Sequence, residues 1–74
     1  DYKTLLQELV QKRHNENVSY SILEESGPDH NKSFVAGVYL KGKLLTKGSG
    51  KSKKEAEQEA AKYAYNSLIG DNME

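Results

Sequence analysis

Apolar residues recur at helical spacing in the first part of the chain. One side of a helix over residues 1–13 would carry Tyr2, Leu5, Leu6, Leu9 and Val10. The opposite side would carry the polar residues Thr4, Gln7, Glu8 and Gln11. The pattern therefore predicts an amphipathic helix, which the polar segment at 15–17 ends.

The middle of the chain has the alternation of β-strands. Residues 18–25 and 33–40 are rich in β-forming side chains, and residues 44–49 follow as a third predicted strand. Between the first two strands, residues 26–31 are turn-forming types, including Gly27 and Pro28. Lys41-Gly42-Lys43 predicts a tight hairpin between the second and third strands, with Gly42 where a positive φ is needed.

A second helix is predicted over residues 53–69. Ser52 is a suitable N-cap, and Glu55 follows it at the spacing of a capping box. Gly70 predicts the end of the helix. A stripe of small residues would let the helix lie close to a sheet: Ala56, Ala60, Ala61 and Ala64, followed by Leu68.

These elements predict an α+β fold with the order α-β-β-β-α. The simplest packing is a three-stranded antiparallel sheet with both helices packed on one face. The other face would meet water, in keeping with the polar alternates Ser19, Ser21 and Lys47. We expect one domain over residues 1–70 and a C-terminal tail over 71–74.

Charge is distributed unevenly along the 74 residues, although the formal net charge is zero. The segment 32–54 contains seven lysines and no acidic residue. A strong local field is therefore possible in a neutral chain, although a merely solvated lysine-rich surface is the plain alternative. The chain has no cysteine, no apolar run long enough to cross a membrane and no visible signal peptide.

Enzymatic interpretations find little support. Gly48-Ser49-Gly50-Lys51-Ser52 resembles the end of a phosphate-binding loop, but Leu45 stands where that motif needs its first glycine. The two histidines, His14 and His30, have no recognisable catalytic partners, and a zinc site needs more ligands. We therefore expect neither catalysis nor a metal site in this chain.

Three polar clusters remain as candidate binding elements. The mostly neutral helix face of Thr4, Gln7, Glu8 and Gln11 can donate and accept hydrogen bonds, as ribose hydroxyls and base edges require. The second cluster is the loop over 27–32, and the third comprises Lys51, Lys53 and Lys54 at the start of the second helix. Taken singly, each can also be an ordinary solvated helix face, strand connection or helix cap.

The lysine cluster is the least ordinary of the three. A helix N-terminus carries partial positive charge and unpaired N–H groups, so additional cations there destabilise an isolated helix. A docked phosphate would remove that penalty. Two neutral patches flanking a cationic one match two minor grooves of a duplex and the phosphates of the major groove between them.

With these three clusters in this order, the chain resembles the double-stranded RNA-binding domain family. Three motifs occur in order: Tyr2-Lys3-Thr4-Leu5-Leu6-Gln7-Glu8 with Gln11, then Gly27-Pro28-x-His30-x-Lys32-x-Phe34, then Gly48-x-Gly50-x-Ser52-Lys53-Lys54-x-Ala56. Within the family, the chain is most similar to the C-terminal domain of bacterial ribonuclease III enzymes. Tyr65 departs from the family pattern, which usually has leucine there.

The resemblance implies roles for particular residues. Helix-one side chains would enter one minor groove, loop residues the next, and the second-helix lysines would contact the phosphates between them. These RNA-binding residues are Thr4, Gln7, Glu8 and Gln11, then Pro28 and His30, and then Lys51, Lys53 and Lys54. Phe34, the alanines and Leu68 would form the core.

The resemblance also implies a setting. The domain would bind double-stranded RNA largely without sequence specificity, without cleaving it and without a cofactor; Mg²⁺ would serve only a separate nuclease domain. We expect a monomeric domain of a cytoplasmic enzyme that acts in RNA processing, including that of rRNA, and that dimerises through its nuclease domain. A protein-interaction or dimerisation module on the same fold is the alternative.

Overall fold

The computed structural model describes residues 1–72 of the chain. Its elements follow the predicted order: α1 (Tyr2–His14), β1 (Val18–Ser26), β2 (Ser33–Leu40), β3 (Lys43–Gly50) and α2 (Lys53–Asn72). The three strands form an antiparallel sheet in the order β1-β2-β3. The predicted α+β class and strand arrangement are confirmed. No helix of the described part is long and apolar enough to cross a bilayer.

Local capping defines both ends of α1. The Asp1 carboxylate accepts a hydrogen bond from the Thr4 N–H at 3.1 Å, so Asp1 is the N-cap and lies just outside the helix. At the other end, Asn15 adopts the left-handed conformation with φ 54° and donates its N–H to the Gln11 carbonyl. These caps place the helix one residue later than its predicted span.

The sheet contains two irregularities that the alternation pattern does not reveal. Leu23 is the extra residue of a bulge in β1, and Leu45 is the extra residue of a bulge in β3. The hairpin between β2 and β3 turns through Lys41 and Gly42, both at positive φ (54° and 76°), as a type I′ turn requires.

A small apolar patch covers the open face of the sheet. Gly37 is buried there although it faces away from the helices, because the side chains of Leu23, Tyr39 and Leu44 lie over it. Leu23 and Leu44 remain 39% and 41% exposed. The predicted polar alternates Ser19, Ser21 and Lys47 are exposed on the same face.

The core lies between the sheet and the helices. Its buried cluster comprises Leu6 and Val10 of α1, Val38 of β2, and Ala60, Ala61 and Ala64 of α2. Tyr65 packs at its margin, with its ring centroid 6.2 Å from that of Tyr2. Phe34 is only half-buried and lies outside this cluster, in contrast to its expected core role. Phe34 lies at the start of β2, next to the loop that joins β1 and β2.

The contact between β3 and α2 is unusually close. A Cβ placed on Gly48 would lie 2.2 Å from the Ala60 nitrogen and 2.8 Å from the Ala56 carbonyl oxygen. The Thr46 hydroxyl lies on the same side and donates to the Ala60 carbonyl at 2.7 Å. Strand and helix therefore touch backbone to backbone, as the alanine stripe predicts.

The predicted end of α2 at Ile69 is wrong. The helix continues to Asn72, and Gly70 has no positive φ and therefore no left-handed cap conformation. Glycine permits that conformation without imposing it. Asp71 and Asn72, assigned above to a tail, continue the helix; Met73 and Glu74 lie outside the described residues.

Gly48→Ala tests the close contact. The new methyl group would press on helix backbone that no side-chain rotation can move, so we expect a loss of roughly 1–3 kcal/mol in unfolding free energy. Urea denaturation followed by circular dichroism gives the value. Gly70→Ala is the matched control: its Cβ meets nothing within 4 Å, and helix propensity predicts a gain of up to about 1 kcal/mol. Equal stability of Gly48→Ala and the parent chain would contradict the close packing.

Candidate nucleic-acid interface

Ser52 caps the start of α2 as the sequence predicts, whereas the reciprocal bond of the predicted capping box is displaced by one residue, to the Lys51 N–H. The Ser52 hydroxyl accepts a hydrogen bond from the Glu55 N–H at 3.0 Å, and the Glu55 carboxylate accepts one from the Lys51 N–H at 3.2 Å. Lys51, Lys53 and Lys54 are all exposed around this cap. Glu55 is the only acidic residue of the first turn, so three ammonium groups surround a helix end that is already positive.

A groove of about 490 Å³, here called the helix groove, lies between α1 and the start of α2. Its α1 side includes Thr4, Gln7 and Glu8, and Lys54 borders it from α2. Asp1, Lys3 and Gln58 complete the lining. Three of the four predicted helix-one residues thus face a common depression next to a cation.

A second groove, of about 660 Å³ and here called the loop groove, lies on the other side of the α2 start. The β1–β2 loop forms one wall with Asp29, His30, Asn31 and Lys32. The opposite wall consists of Lys51, Ser52 and Lys53, and Phe34 also contributes to the lining. The half-buried position of Phe34 is explained by this groove.

The two grooves share the first turn of α2 as their border. Lys54 lines the helix groove and Lys53, the preceding residue, lines the loop groove. Seven of the nine predicted RNA-binding residues line one groove or the other, whereas Gln11 and Pro28 line neither. The Gln11 amide instead donates to the Asn15 side chain at 2.7 Å. The lysines at the start of α2 therefore lie between two polar grooves, whose linings also include charged side chains such as Glu8 and Asp29.

Gln7 has a structural task that the sequence does not reveal. Its amide nitrogen donates to the Asn17 side chain at 2.8 Å and to the Glu16 carbonyl at 3.4 Å. Its carbonyl oxygen accepts the Val18 N–H at 3.1 Å. Both amide hydrogens are thus engaged in holding the α1–β1 connection, and one oxygen lone pair remains for a further donor.

The lysines of the acid-free segment are not equally available. Lys32 pairs with Glu25 at 2.5 Å and approaches Asp29 at 3.9 Å, and Lys41 lies 4.0 Å from Glu16. The hydrogen bond from Lys32, and then its charge, lower the pKa of the Glu25 carboxyl. Within the described residues, the lysines of this segment without an ion pair are Lys43, Lys47, Lys51, Lys53 and Lys54.

A polar junction fixes α1 against α2. Gln58 accepts the Tyr2 N–H at 2.9 Å and donates to the Asp1 carboxylate at 2.8 Å. Lys3 pairs with Glu57 at 2.6 Å. The sequence patterns predict no role for Asp1 or Gln58, although an acidic residue preceding a periodic helix is the usual signal for a cap such as Asp1.

Tyr20 lies beneath this junction. The Lys3 ammonium is 4.7 Å from the centre of its ring. Its hydroxyl is buried and has no hydrogen-bond partner among the described residues. Burial, with a smaller contribution from the Glu57 charge, raises the pKa of the Tyr20 phenol to about 12. The charges of Lys3 and Glu57 neutralise each other in this ion pair. Lys3 is therefore less available than an unpaired lysine to bind a phosphate.

No group of three or more histidine, cysteine, aspartate or glutamate side chains in the described part of the chain is placed to hold a metal ion. Glu24 and Glu25 are neighbours in β1 and pair with successive residues of β2, so their side chains point to opposite faces.

Comparison with known proteins connects this geometry to a family. The chain is 69% identical over 73 residues to Ribonuclease 3 of Syntrophomonas wolfei and 59% identical over 70 residues to Ribonuclease 3 of Desulforamulus reducens. These alignments cover 99% and 95% of the chain but only 30% and 28% of the relatives. The chain thus spans less than a third of the length of the curated relatives it matches.

Solved structures with the same fold include two with clear sequence similarity. The solution structure of DRB4 dsRBD2 is 39% identical, with a TM-score of 0.66 over 93% of this chain and 96% of that one. Dicer from Pichia stipitis is 26% identical, with a TM-score of 0.72 over 89% of this chain and 32% of that one. The family model of the double-stranded RNA binding motif matches residues 2–68. The chain therefore belongs to the double-stranded RNA binding motif family.

Proposed function

We propose that this chain binds double-stranded RNA by its shape, spanning two successive minor grooves and the phosphates of the major groove between them. The observation that carries the proposal is the shared border of the two grooves. One helix turn presents Lys54 to the helix groove and Lys53 to the loop groove. An RNA duplex matches this arrangement, because the phosphates that line its major groove separate two minor grooves that present ribose hydroxyls and base edges.

The two kinds of contact contribute differently to this binding. Ammonium groups at a helix N-terminus interact with phosphates of RNA and DNA alike, and they release counterions from either. Selectivity for RNA needs groups that contact 2′-hydroxyls, for which Thr4, Glu8 and the free lone pair of Gln7 offer both donor and acceptor atoms. Pro28 and His30, with Gln11 at the far end of α1, complete the proposed surface.

We further propose that the chain is the substrate-binding domain of a ribonuclease 3. The supporting observation is the identity to Ribonuclease 3 proteins of which this chain matches less than a third. On this proposal, cleavage and its Mg²⁺ belong to a separate nuclease domain, through which the cytoplasmic parent enzyme dimerises. The domain itself is monomeric and needs no cofactor, and its biological role is RNA processing, including that of rRNA.

A protein-interaction module on the same fold remains the second candidate. The apolar patch of Leu23, Tyr39 and Leu44 on the open sheet face is the observation in its favour. Failure to bind a duplex of about 16 base pairs at low salt would favour this candidate over RNA binding.

Binding titrations with matched duplex RNA, duplex DNA and single-stranded RNA test the main proposal. We expect duplex RNA to bind most tightly, because only it presents 2′-hydroxyls at duplex spacing. If three to five phosphates are neutralised, log K falls with log salt with a slope of roughly −2.7 to −4.5, taking the duplex-DNA coefficient as a guide. Equal affinity for duplex RNA and duplex DNA would refute the proposal.

Removing the two border lysines tests the cationic part of the surface. The double variant Lys53→Ala and Lys54→Ala should lower affinity at least about ten-fold and make the salt slope shallower by about 2. Its circular dichroism spectrum should match that of the parent, since both side chains are exposed.

The matched control for that experiment removes the same charge elsewhere. Lys43 and Lys47 are also exposed and unpaired within the described residues, but they line neither of the two grooves. Their double alanine variant should retain most of the affinity. Equal losses in the two variants would show that only net charge matters, in disagreement with a defined phosphate-binding border.

Cleavage is tested directly with the isolated chain. Duplex RNA incubated with the chain and Mg²⁺ should stay intact on a denaturing gel while a parallel binding assay shows complex formation. Specific fragments that depend on the chain would contradict the assignment of a binding domain without nuclease activity.

A further inference from the structure

Lys51 differs from the other two lysines at the start of α2. Its ammonium lies 3.3 Å from the Asn31 side-chain oxygen and 3.5 Å from the Ser33 hydroxyl. Lys53 and Lys54 make no side-chain hydrogen bond or ion pair within the described residues. Lys51 therefore reaches across the loop groove to the opposite wall, while its two neighbours leave their ammonium groups unengaged.

The segment that Lys51 contacts is a closed turn. The Asn31 N–H donates to the Pro28 carbonyl at 2.9 Å. Gly27 has a φ of 92°, and a Cβ there would lie 2.4 Å from the Asn31 carbonyl oxygen. The loop thus folds back on its own backbone, with Asn31 at the point where it meets the start of β2.

The backbone on the other side of the contact is also held. The Lys51 N–H is bound by the Glu55 carboxylate, which belongs to the capped first turn of α2. The side chain of Lys51 therefore connects two locally ordered pieces: the turn that carries Pro28 and His30, and the helix end that carries Lys53 and Lys54.

We propose that Lys51 is a positioning residue, which fixes the distance between the loop and the phosphate-binding lysines before RNA arrives. The inference rests on the proposed function and assigns Lys51 a different part in it from Lys53 and Lys54. A duplex has a fixed groove spacing, so a loop that is already held at that spacing loses less conformational freedom on binding. Removing the Lys51 contact then weakens binding without removing a phosphate contact.

Single substitutions to glutamine distinguish the two roles, because each removes one charge from the same helix end. Lys53→Gln should weaken binding to a 16-base-pair RNA duplex and make the salt slope shallower by about 0.9, as loss of one phosphate contact requires. Lys51→Gln should weaken binding by about three- to ten-fold, the range for ordering one more side chain. Its salt slope should equal that of the parent chain.

A second variant removes the partners and leaves the charge in place. Asn31→Ala combined with Ser33→Ala should weaken binding to the same extent as Lys51→Gln. Adding Lys51→Gln to that background should have no further effect, because the contact is already absent. In the RNA-free protein, the backbone N–H of Asn31, which donates to the Pro28 carbonyl, should exchange its hydrogen with solvent faster in Lys51→Gln than in Lys53→Gln.

Two results would overturn the inference. One is a salt slope for Lys51→Gln that is as shallow as that for Lys53→Gln; the other is a full additional loss of affinity when Lys51→Gln is added to the Asn31 and Ser33 variant. Both presuppose that the parent chain prefers duplex RNA over duplex DNA. Without that preference the proposed function itself fails, so the two failures are separable.

Discussion

The backbone contact between Gly48 and α2 is the constraint on which the other features depend. Because a single Cβ at this point would overlap the Ala60 nitrogen, the helix can lie at this depth only over glycine. The depth of α2 sets the position of its capped first turn relative to the sheet edge. Both grooves have that turn as a wall, so their separation follows from the packing of a residue that contacts neither of them.

Ion pairs engage two of the seven lysines of the acid-free segment. Lys32 and Lys41 have acidic partners, and the lowered pKa of Glu25 keeps its carboxylate charged opposite Lys32 over a wider pH range. Among the described residues, the lysines of the segment without an ion pair lie at the α2 start and along β3. A neutral chain thus presents a concentrated positive charge where its helix end is already positive.

The order of elements and the positions of the candidate binding elements within it could be predicted from the sequence, because both depend on local patterns. Helical and alternating periodicity, the Ser52 cap and the acid-free lysine segment are all visible within a few neighbouring residues. The bulges at Leu23 and Leu45 are not visible, since an extra residue in a strand is defined only by the partner strand. The continuation of α2 through Gly70 escapes prediction for a different reason: glycine allows a helix stop but does not require it.

Side-chain partners were the other feature beyond the reach of sequence reasoning. The sequence predicts Gln7 at an RNA-binding surface, whereas the structure shows that it holds the α1–β1 connection through contacts with residues ten and eleven positions away. The sequence groups Lys51 with Lys53 and Lys54 because all three lie within four residues at the predicted helix start. Their different directions become apparent only when the β1–β2 loop lies beside the helix end.

The helix turn shared by the two grooves has a statistical consequence for long duplexes. On the proposed function, the phosphates and ribose hydroxyls that the chain contacts repeat along every duplex, so each shift by one base pair offers a nearly equivalent register. With a footprint of about 16 base pairs, a 40-base-pair duplex offers about 25 overlapping registers. Apparent affinity per duplex should therefore rise with duplex length, because a longer duplex offers more binding registers. The register that is occupied on a long RNA would then be determined by other molecules bound to the same RNA.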